Sequence, residues 1–233
     1  MKNTAIVTGS SRGIGKAIAY ELAKNGFNVI INSRKQQDSS EIAKKLEKEF
    51  GIKSIGIAAD VRYKTQVKHL IQNTINQFKQ IDVLINNAGV AIVKPLHETS
   101  EKDWDYVIDT NLKGVYLCSK EVLPYMISKK SGCILNISSG AGKSGYGELG
   151  AYCASKFGVI GLTESLAKEV NQYGILVVSL CPGAVATDMQ RQFMTEKEYE
   201  KRKNYMIQPE KVAKKTLDVI NGKYRTGSAI DVY

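Results

Sequence analysis

Residues 4–24 read TAIVTGSSRGIGKAIAYELAK, and this stretch decides the fold. Residues 4–8 are apolar and β-branched, the composition of a short buried strand. Glycines 9, 13 and 15 follow at once. Residues 16–24 then carry helical spacing up to a stop at Gly26. A strand that runs through a glycine turn into a helix opens a βα unit. Glycine permits the tight turn, and missing Cβ atoms let a pyrophosphate reach backbone N–H groups at the positive end of the helix. The spacing is GxxxGxG rather than the commoner GxGxxG. A glycine turn serves in many βα connections, so its place after the first strand carries the argument.

Working outward, the alternation persists. Strands are predicted at 27–32, 52–58, 81–85, 133–137, 175–180 and 228–232. Helices are predicted at 41–50, with Ser39 or Ser40 as cap and Gly51 as stop, and at 65–78, 100–127, 151–173 and 210–220. The long region from 100 can be capped by Ser100 and Asp103. Strand and helix at βα spacing predict an α/β fold, a doubly wound parallel sheet with helices on both faces. The stretch 188–208 differs in kind: charged, poor in apolar residues, and longer than an ordinary connection. It predicts an excursion or substrate lid over the C-terminal edge of the sheet. No repeat or linker interrupts the chain, so 1–233 reads as one domain.

Composition narrows the classes of function. The 233 residues contain no run of about 18 apolar residues, which argues against a membrane span. The N-terminus lacks a leader's long apolar region and cleavage site. Four cysteines lie in apolar contexts without a CxxC pair, suiting reduced thiols and a cytoplasmic location. Two histidines, far apart, argue against a zinc site or a histidine triad. The formal charge is +10. Its lysines are spread over the polar faces of predicted helices, as on a solvated basic surface. A phosphate-rich cofactor or an acidic carrier would benefit from that field, whereas nucleic acid is not expected as a partner.

A second stretch carries candidate chemistry: residues 138–156, SSGAGKSGYGELGAYCASK. Tyr152 and Lys156 are four apart, so a helix places both on one face. A cation beside a phenol favours phenolate and lowers its pKa from about 10. The preceding loop brings the hydroxyl of Ser139 over the same place. An isolated YxxxK is otherwise only a polar helix start. At the tip of the second strand, an NAD site usually has an acidic residue for the ribose. Here Asn32, Ser33, Arg34 and Lys35 stand there, with no carboxylate before Asp38. Arg34, helped by Arg12 in the glycine turn, would receive a 2′-phosphate, which predicts NADP(H). Arg34 and Lys35 as a solvated loop is the alternative. Asp60 and Val61, ending the third strand, are placed to meet the adenine edge.

These residues resemble the short-chain dehydrogenase/reductase family almost from end to end. TGxxxGxG appears as Thr8, Gly9, Ser10, Ser11, Arg12, Gly13, Ile14 and Gly15. NNAG appears as Asn86, Asn87, Ala88 and Gly89. Asn111 stands in DTNLKG, Ser139 thirteen positions before Tyr152, then YxxxK, then Pro182-Gly183 and Thr187. The resemblance implies a Rossmann-type sheet of about seven strands and a nicotinamide cofactor. It implies hydride transfer between NADP(H) and a carbonyl or secondary alcohol, with Tyr152 as proton donor. Lys156 would tune Tyr152 and bind the nicotinamide ribose, Ser139 would hold the carbonyl, and Asn111 would hold a relay water. Asn87 to Gly89 would lie beside the adenosine, and Gly183, Val185 and Thr187 near the nicotinamide. Ser138 would point away, and Asn86 would tie neighbouring strands.

Within the family, 3-oxoacyl-carrier-protein reductases are the nearest likeness. They imply an acyl-thioester substrate and a homo-oligomer, tetramer or dimer, built on the helices at 100–127 and 151–173. Lys130 occupies one place where such enzymes hold the acidic carrier, and Tyr173 stands where a second, basic residue is expected. Tyr146 and Cys153 are candidates to line the substrate pocket. So are Met189, Phe193, Met194, Tyr199 and Met206 of the excursion. Tyr20, Tyr106 and Tyr116 read as core or interface residues. A catalytically silent nucleotide-binding or interaction protein of the same fold is the alternative reading.

Overall fold

Apolar runs unbroken by alternation form strands buried on both faces. The computed structural model, which describes residues 2–233, pairs seven of them in parallel. They are β1 (Thr4–Val7), β2 (Asn28–Ser33), β3 (Ser54–Ala58), β4 (Val83–Asn86), β5 (Gly132–Ile137), β6 (Ile175–Pro182) and β7 (Ala229–Val232). Their order is β3-β2-β1-β4-β5-β6-β7. The chain winds outward from β1 to β3, then returns beside β1 to start β4. That reversal opens a crevice at the C-terminal ends of β1 and β4.

Helices cover both faces. On one, α1 (Gly13–Lys24), α2 (Gln36–Phe50) and α8 (Pro209–Ile220) bury Ile18, Leu22, Leu46 and Val212 against Val7, Ile31 and Ile85. On the other, α3 (Lys64–Phe78), α5 (Gly114–Lys129) and α6 (Gly150–Val170) bury Leu70, Val122 and Leu166 against Ile6, Ile30 and Leu84. No described helix is long and apolar enough to cross a membrane. All four cysteines are buried and free.

The elements depart from expectation at two places. Helix α2 begins at Gln36, not after a serine cap. Gln36 spans to β3, accepting from Ala58 N at 2.9 Å and donating to Gly56 O at 2.6 Å, which anchors an extra turn. Ser39 is buried inside that turn, its hydroxyl on Lys35 O at 3.0 Å. The helical region from 100 is also not one rod. Ser100 caps α4 (Glu101–Ile108) as expected, accepting from Asp103 N at 3.1 Å. A five-residue π turn, Asp109–Lys113, then leads into α5.

The excursion folds as a short 3₁₀ turn (Gln190–Phe193), then α7 (Glu196–Arg202) with a Thr195/Glu198 capping box. Its ends are pinned together where β6 exits: Ala186 N donates to Ile207 O at 2.9 Å, and Ile207 N to Ala184 O at 3.0 Å. Asn86 ties strands, donating to Asn136 Oδ1 at 2.8 Å and Ser119 Oγ at 3.1 Å.

Candidate active site

The crevice is a cleft of about 500 Å³. It is floored by the glycine turn. Gly9 has φ +62°, and a Cβ there would stand 2.8 Å from Ala88 Cα. Gly13, at φ +56°, faces Thr187. Gly15 has a packing reason to lack a side chain. It lies off the cleft wall, and its Cβ would overlap the Asn87 amide and come within 2.5 Å of Gly9 O. Asn87 occupies that space, donating to Thr8 O at 2.9 Å and Gly9 O at 3.0 Å. Thr8 Oγ1 accepts from the N–H of both Asn87 and Ala88. The 86–89 loop is thereby locked to the glycine turn. Ser11, Arg12 and Ile14 complete the floor, with Ala88 and Gly89 beside them.

At the β2 end, Asn32 stands where an acid would be expected. It is buried, and its amide donates to Ile57 O at 3.1 Å and Ala59 O at 3.0 Å. Arg34 lines the cleft and donates to the Tyr106 hydroxyl at 3.0 Å; Lys35 only precedes α2 and does not line it. Arg12 faces Asp188 at 3.4 Å, both largely exposed. Asp60 and Val61 line the same end. Burial pushes the Asp60 carboxyl up, but hydrogen bonds from Arg62 and the charges of Arg62 and Arg34 hold it below the usual carboxylate range.

Arg62 and Tyr106 were missed from sequence as cleft residues. Arg62 adjoins Asp60-Val61, and that adjacency was the available signal. Tyr106 was expected in the core or an interface. It instead forms cleft wall from α4, and nothing local in its sequence marks that placement.

At the β5 end, Tyr152 and Lys156 rise on one face of α6, both buried. Ser139 Oγ accepts from Ala141 N at 3.1 Å and faces the Tyr152 phenol across the cleft floor. Ser138 turns away, donating to Lys156 O at 3.0 Å. The Lys156 ammonium donates to Ile137 O at 2.7 Å and lies 5.6 Å from the Tyr152 ring centroid. The expected acidified phenol is not what this geometry produces. Burial pushes the Tyr152 phenol up, opposed by the neighbouring Ser139 hydroxyl, and burial pulls Lys156 down to about 8. Desolvation penalises both charged forms, and the ammonium is bound to a carbonyl rather than to the phenol oxygen.

Asn111 is fully buried within the π turn and does not line the cleft. Both of its amide protons are committed, to Val90 O at 2.8 Å and Ser155 Oγ at 3.1 Å; its oxygen accepts from Val90 N. It could offer a relay water only acceptor capacity. It is nevertheless close: a Cβ on Gly89 would lie 3.4 Å from Asn111 Oδ1 and 3.8 Å from Lys156 Nζ.

Pro182, Gly183, Val185 and Thr187 form the facing wall. Met189 and Phe193 of the excursion extend it, the Phe193 ring 6.3 Å from that of Tyr152. Tyr146 lines the cleft, but Cys153 packs behind it. Met194, Tyr199 and Met206 also stay off the wall, Tyr199 buried beneath Arg191.

Residues 3–198 match the family model described as short chain dehydrogenase. The chain belongs to that family. It is 42% identical over 189 residues to the 3-oxoacyl-[acyl-carrier-protein] reductase FabG of Staphylococcus epidermidis, covering 81% of this chain and 78% of the relative. It is 42% identical over 185 residues to the 3-oxoacyl-[acyl-carrier-protein] reductase of Synechocystis, with coverages of 79% and 75%. The crystal structure of a variant actinorhodin polyketide ketoreductase with NADPH superposes with a TM-score of 0.93 at 32% identity, over 99% of this chain and 95% of that one. The chain is thus an oxidoreductase of the short-chain dehydrogenase family, which works with a nicotinamide cofactor. The cleft fits such a group: a glycine floor without side chains, a guanidinium at one end, and a buried phenol and ammonium at the other.

Proposed function

We propose that this protein is an NADPH-dependent reductase of carbonyl compounds, with 3-oxoacyl thioesters as its substrate class. The observation that carries the reading is the Ser139–Tyr152–Lys156 cluster at the opposite end of one cleft from Arg34. Arg34, Arg12 and Asp60 would receive the adenosine half, with the 2′-phosphate on Arg34. Gly9, Gly13 and the first turn of α1 would take the pyrophosphate, and Lys156 the nicotinamide ribose. When bound, the nicotinamide supplies hydride to the carbonyl carbon.

The chain's own residues handle the proton. A phenol pushed up by burial stays protonated at neutral pH, as a donor to a carbonyl oxygen must. The Ser139 hydroxyl holds that oxygen and stabilises the charge developing on it. Lys156, with a pKa near 8, resupplies the phenol, and Asn111 with Gly89 fixes the path behind it. Phe193 and Met189 exclude water over the substrate, so the 188–208 excursion acts as a lid. The thioester class is supported by the 42% identity to carrier-protein reductases. Tyr116 on α5 and Phe157 on α6, both substantially exposed, support self-association through these helices.

The test is nucleotide oxidation with a panel of 3-oxoacyl thioesters and simple ketones, with NADPH and NADH in parallel. Thioester turnover with an NADPH preference is expected. Tyr152→Phe is expected to lower turnover by about 10²–10⁴ while leaving NADPH bound. Equal efficiency with NADH would overturn the cofactor reading, and near-normal turnover in Tyr152→Phe would overturn the proton donor.

A further inference from the structure

Three arginines line the adenosine end of the cleft, and two are already matched by carboxylates. Arg12 faces Asp188 at 3.4 Å. Arg62 grips Asp60 with Nε at 3.0 and 3.1 Å and Nη2 at 2.6 Å, forming a neutral pair. Among the described residues, Arg34 has no carboxylate within ion-pair distance, and its guanidinium is held by one group, the Tyr106 hydroxyl at 3.0 Å. That bond joins the tip of β2 to α4, 72 residues away in sequence, across the mouth of the cleft.

Tyr106 is itself fixed. The Arg62 guanidinium lies over its ring, 4.9 Å from the centroid, and over Tyr63 at 5.3 Å. The contacts therefore run from the Asp60 carboxylate through Arg62 and the Tyr106 ring to Arg34. Asp60 forms its ion pair with Arg62 and acts on Arg34 only from a distance, so Arg34 carries no direct carboxylate partner. A guanidinium carries five N–H donors, and Tyr106 uses one. The remainder suit a phosphate.

We infer that Tyr106 is a positioning residue for nucleotide choice, holding Arg34 in place so that a 2′-phosphate meets a cation already ordered. The inference rests on the NADPH reading above. An arginine that must be ordered at the moment of binding loses about two- to tenfold in affinity, which sets the size of the effect.

Calorimetric binding of adenosine 2′,5′-bisphosphate and of 5′-AMP to the full chain tests this without turnover. Tyr106→Phe keeps the ring under Arg62 and removes only the hydroxyl. It is expected to weaken the bisphosphate about two- to tenfold and leave 5′-AMP unchanged. Arg34→Ala should abolish the preference for the bisphosphate, and adding Tyr106→Phe to it should change nothing more. In turnover, Tyr106→Phe should raise the KM for NADPH but not for NADH.

Unchanged bisphosphate affinity in Tyr106→Phe, or an equal loss for 5′-AMP, overturns the inference. So does an undiminished loss in the Arg34→Ala background, which would mean Tyr106 acts without Arg34. If the unmodified protein shows no preference for the bisphosphate, the NADPH reading itself falls, and this inference with it. Wild-type preference together with an inert Tyr106→Phe removes this inference alone.

Discussion

Lys156 donates its ammonium to the Ile137 carbonyl at 2.7 Å and sits 5.6 Å from the centre of the Tyr152 ring. The lysine is buried, and burial pulls its pKa down to about 8. Between that value and the ordinary lysine range, the unfolded chain binds more protons than the native one. Stability due to this residue therefore rises with pH across about 8 to 10.4 and is lowest below pH 8. The displacement corresponds to about 3 kcal/mol at neutral pH. Lys156→Met removes that penalty but orphans the Ile137 carbonyl, at about 1 kcal/mol. The variant is expected to melt about 4–8 °C higher at pH 7, with the gain shrinking toward pH 10 and turnover lost. A Lys156→Met protein that melts lower at pH 7 would show the ammonium to be a net stabiliser.

Gly13 and Gly15 share one motif but have different work. Gly13 needs its positive φ, at which an alanine costs about 1–2 kcal/mol, and its Cβ would find ordinary space beside Thr187. Gly15 has no unusual φ, but an alanine there meets the fixed backbone of Gly9 and Ser10 as well as Asn87. Such overpacking costs about 1–3 kcal/mol, and rigid neighbours put it at the upper end. In urea denaturation without nucleotide, Gly15→Ala should therefore be the more destabilised of the two. Equal midpoints would refute the packing role.

The strands were legible in the sequence for a physical reason. Parallel strands covered on both faces are continuous apolar runs, and all seven were located within a few residues. Features imposed by tertiary contact were not legible. The first turn of α2 exists because Gln36 reaches β3, and nothing in DTNLK announces a π turn. In the site, the motif order located the Ser139, Tyr152 and Lys156 cluster. Spacing, however, suggested an acidified phenol, because spacing reports proximity and not burial. Tyr152 is sealed by Ala141 and Phe193, groups from elsewhere in the chain. Tyr106 escaped for the same reason: its bond to Arg34 depends on where α4 crosses the cleft.

In the proposed reductase Phe193 would shape the substrate end through two effects, which one variant separates. Its ring lines the cleft at the start of the excursion and meets the Tyr152 ring edge-on at 6.3 Å. Burying an aromatic ring of this kind contributes about 1.5–3 kcal/mol to whatever packs against it. Phe193→Ala should therefore raise the KM for long-chain 3-oxoacyl thioesters by roughly tenfold or more, and that for short ones less. The nucleotide affinity should not move, since the ring stands at the far end from Arg34. Water admitted beside Tyr152 also relieves the burial that pushes its phenol up, so the alkaline limb of the reduction rate should shift to lower pH. Steady-state kinetics across chain length and pH reads both effects. A KM increase without a shifted limb would place Phe193 against the substrate only. An unchanged KM at every chain length would remove the excursion from the substrate wall.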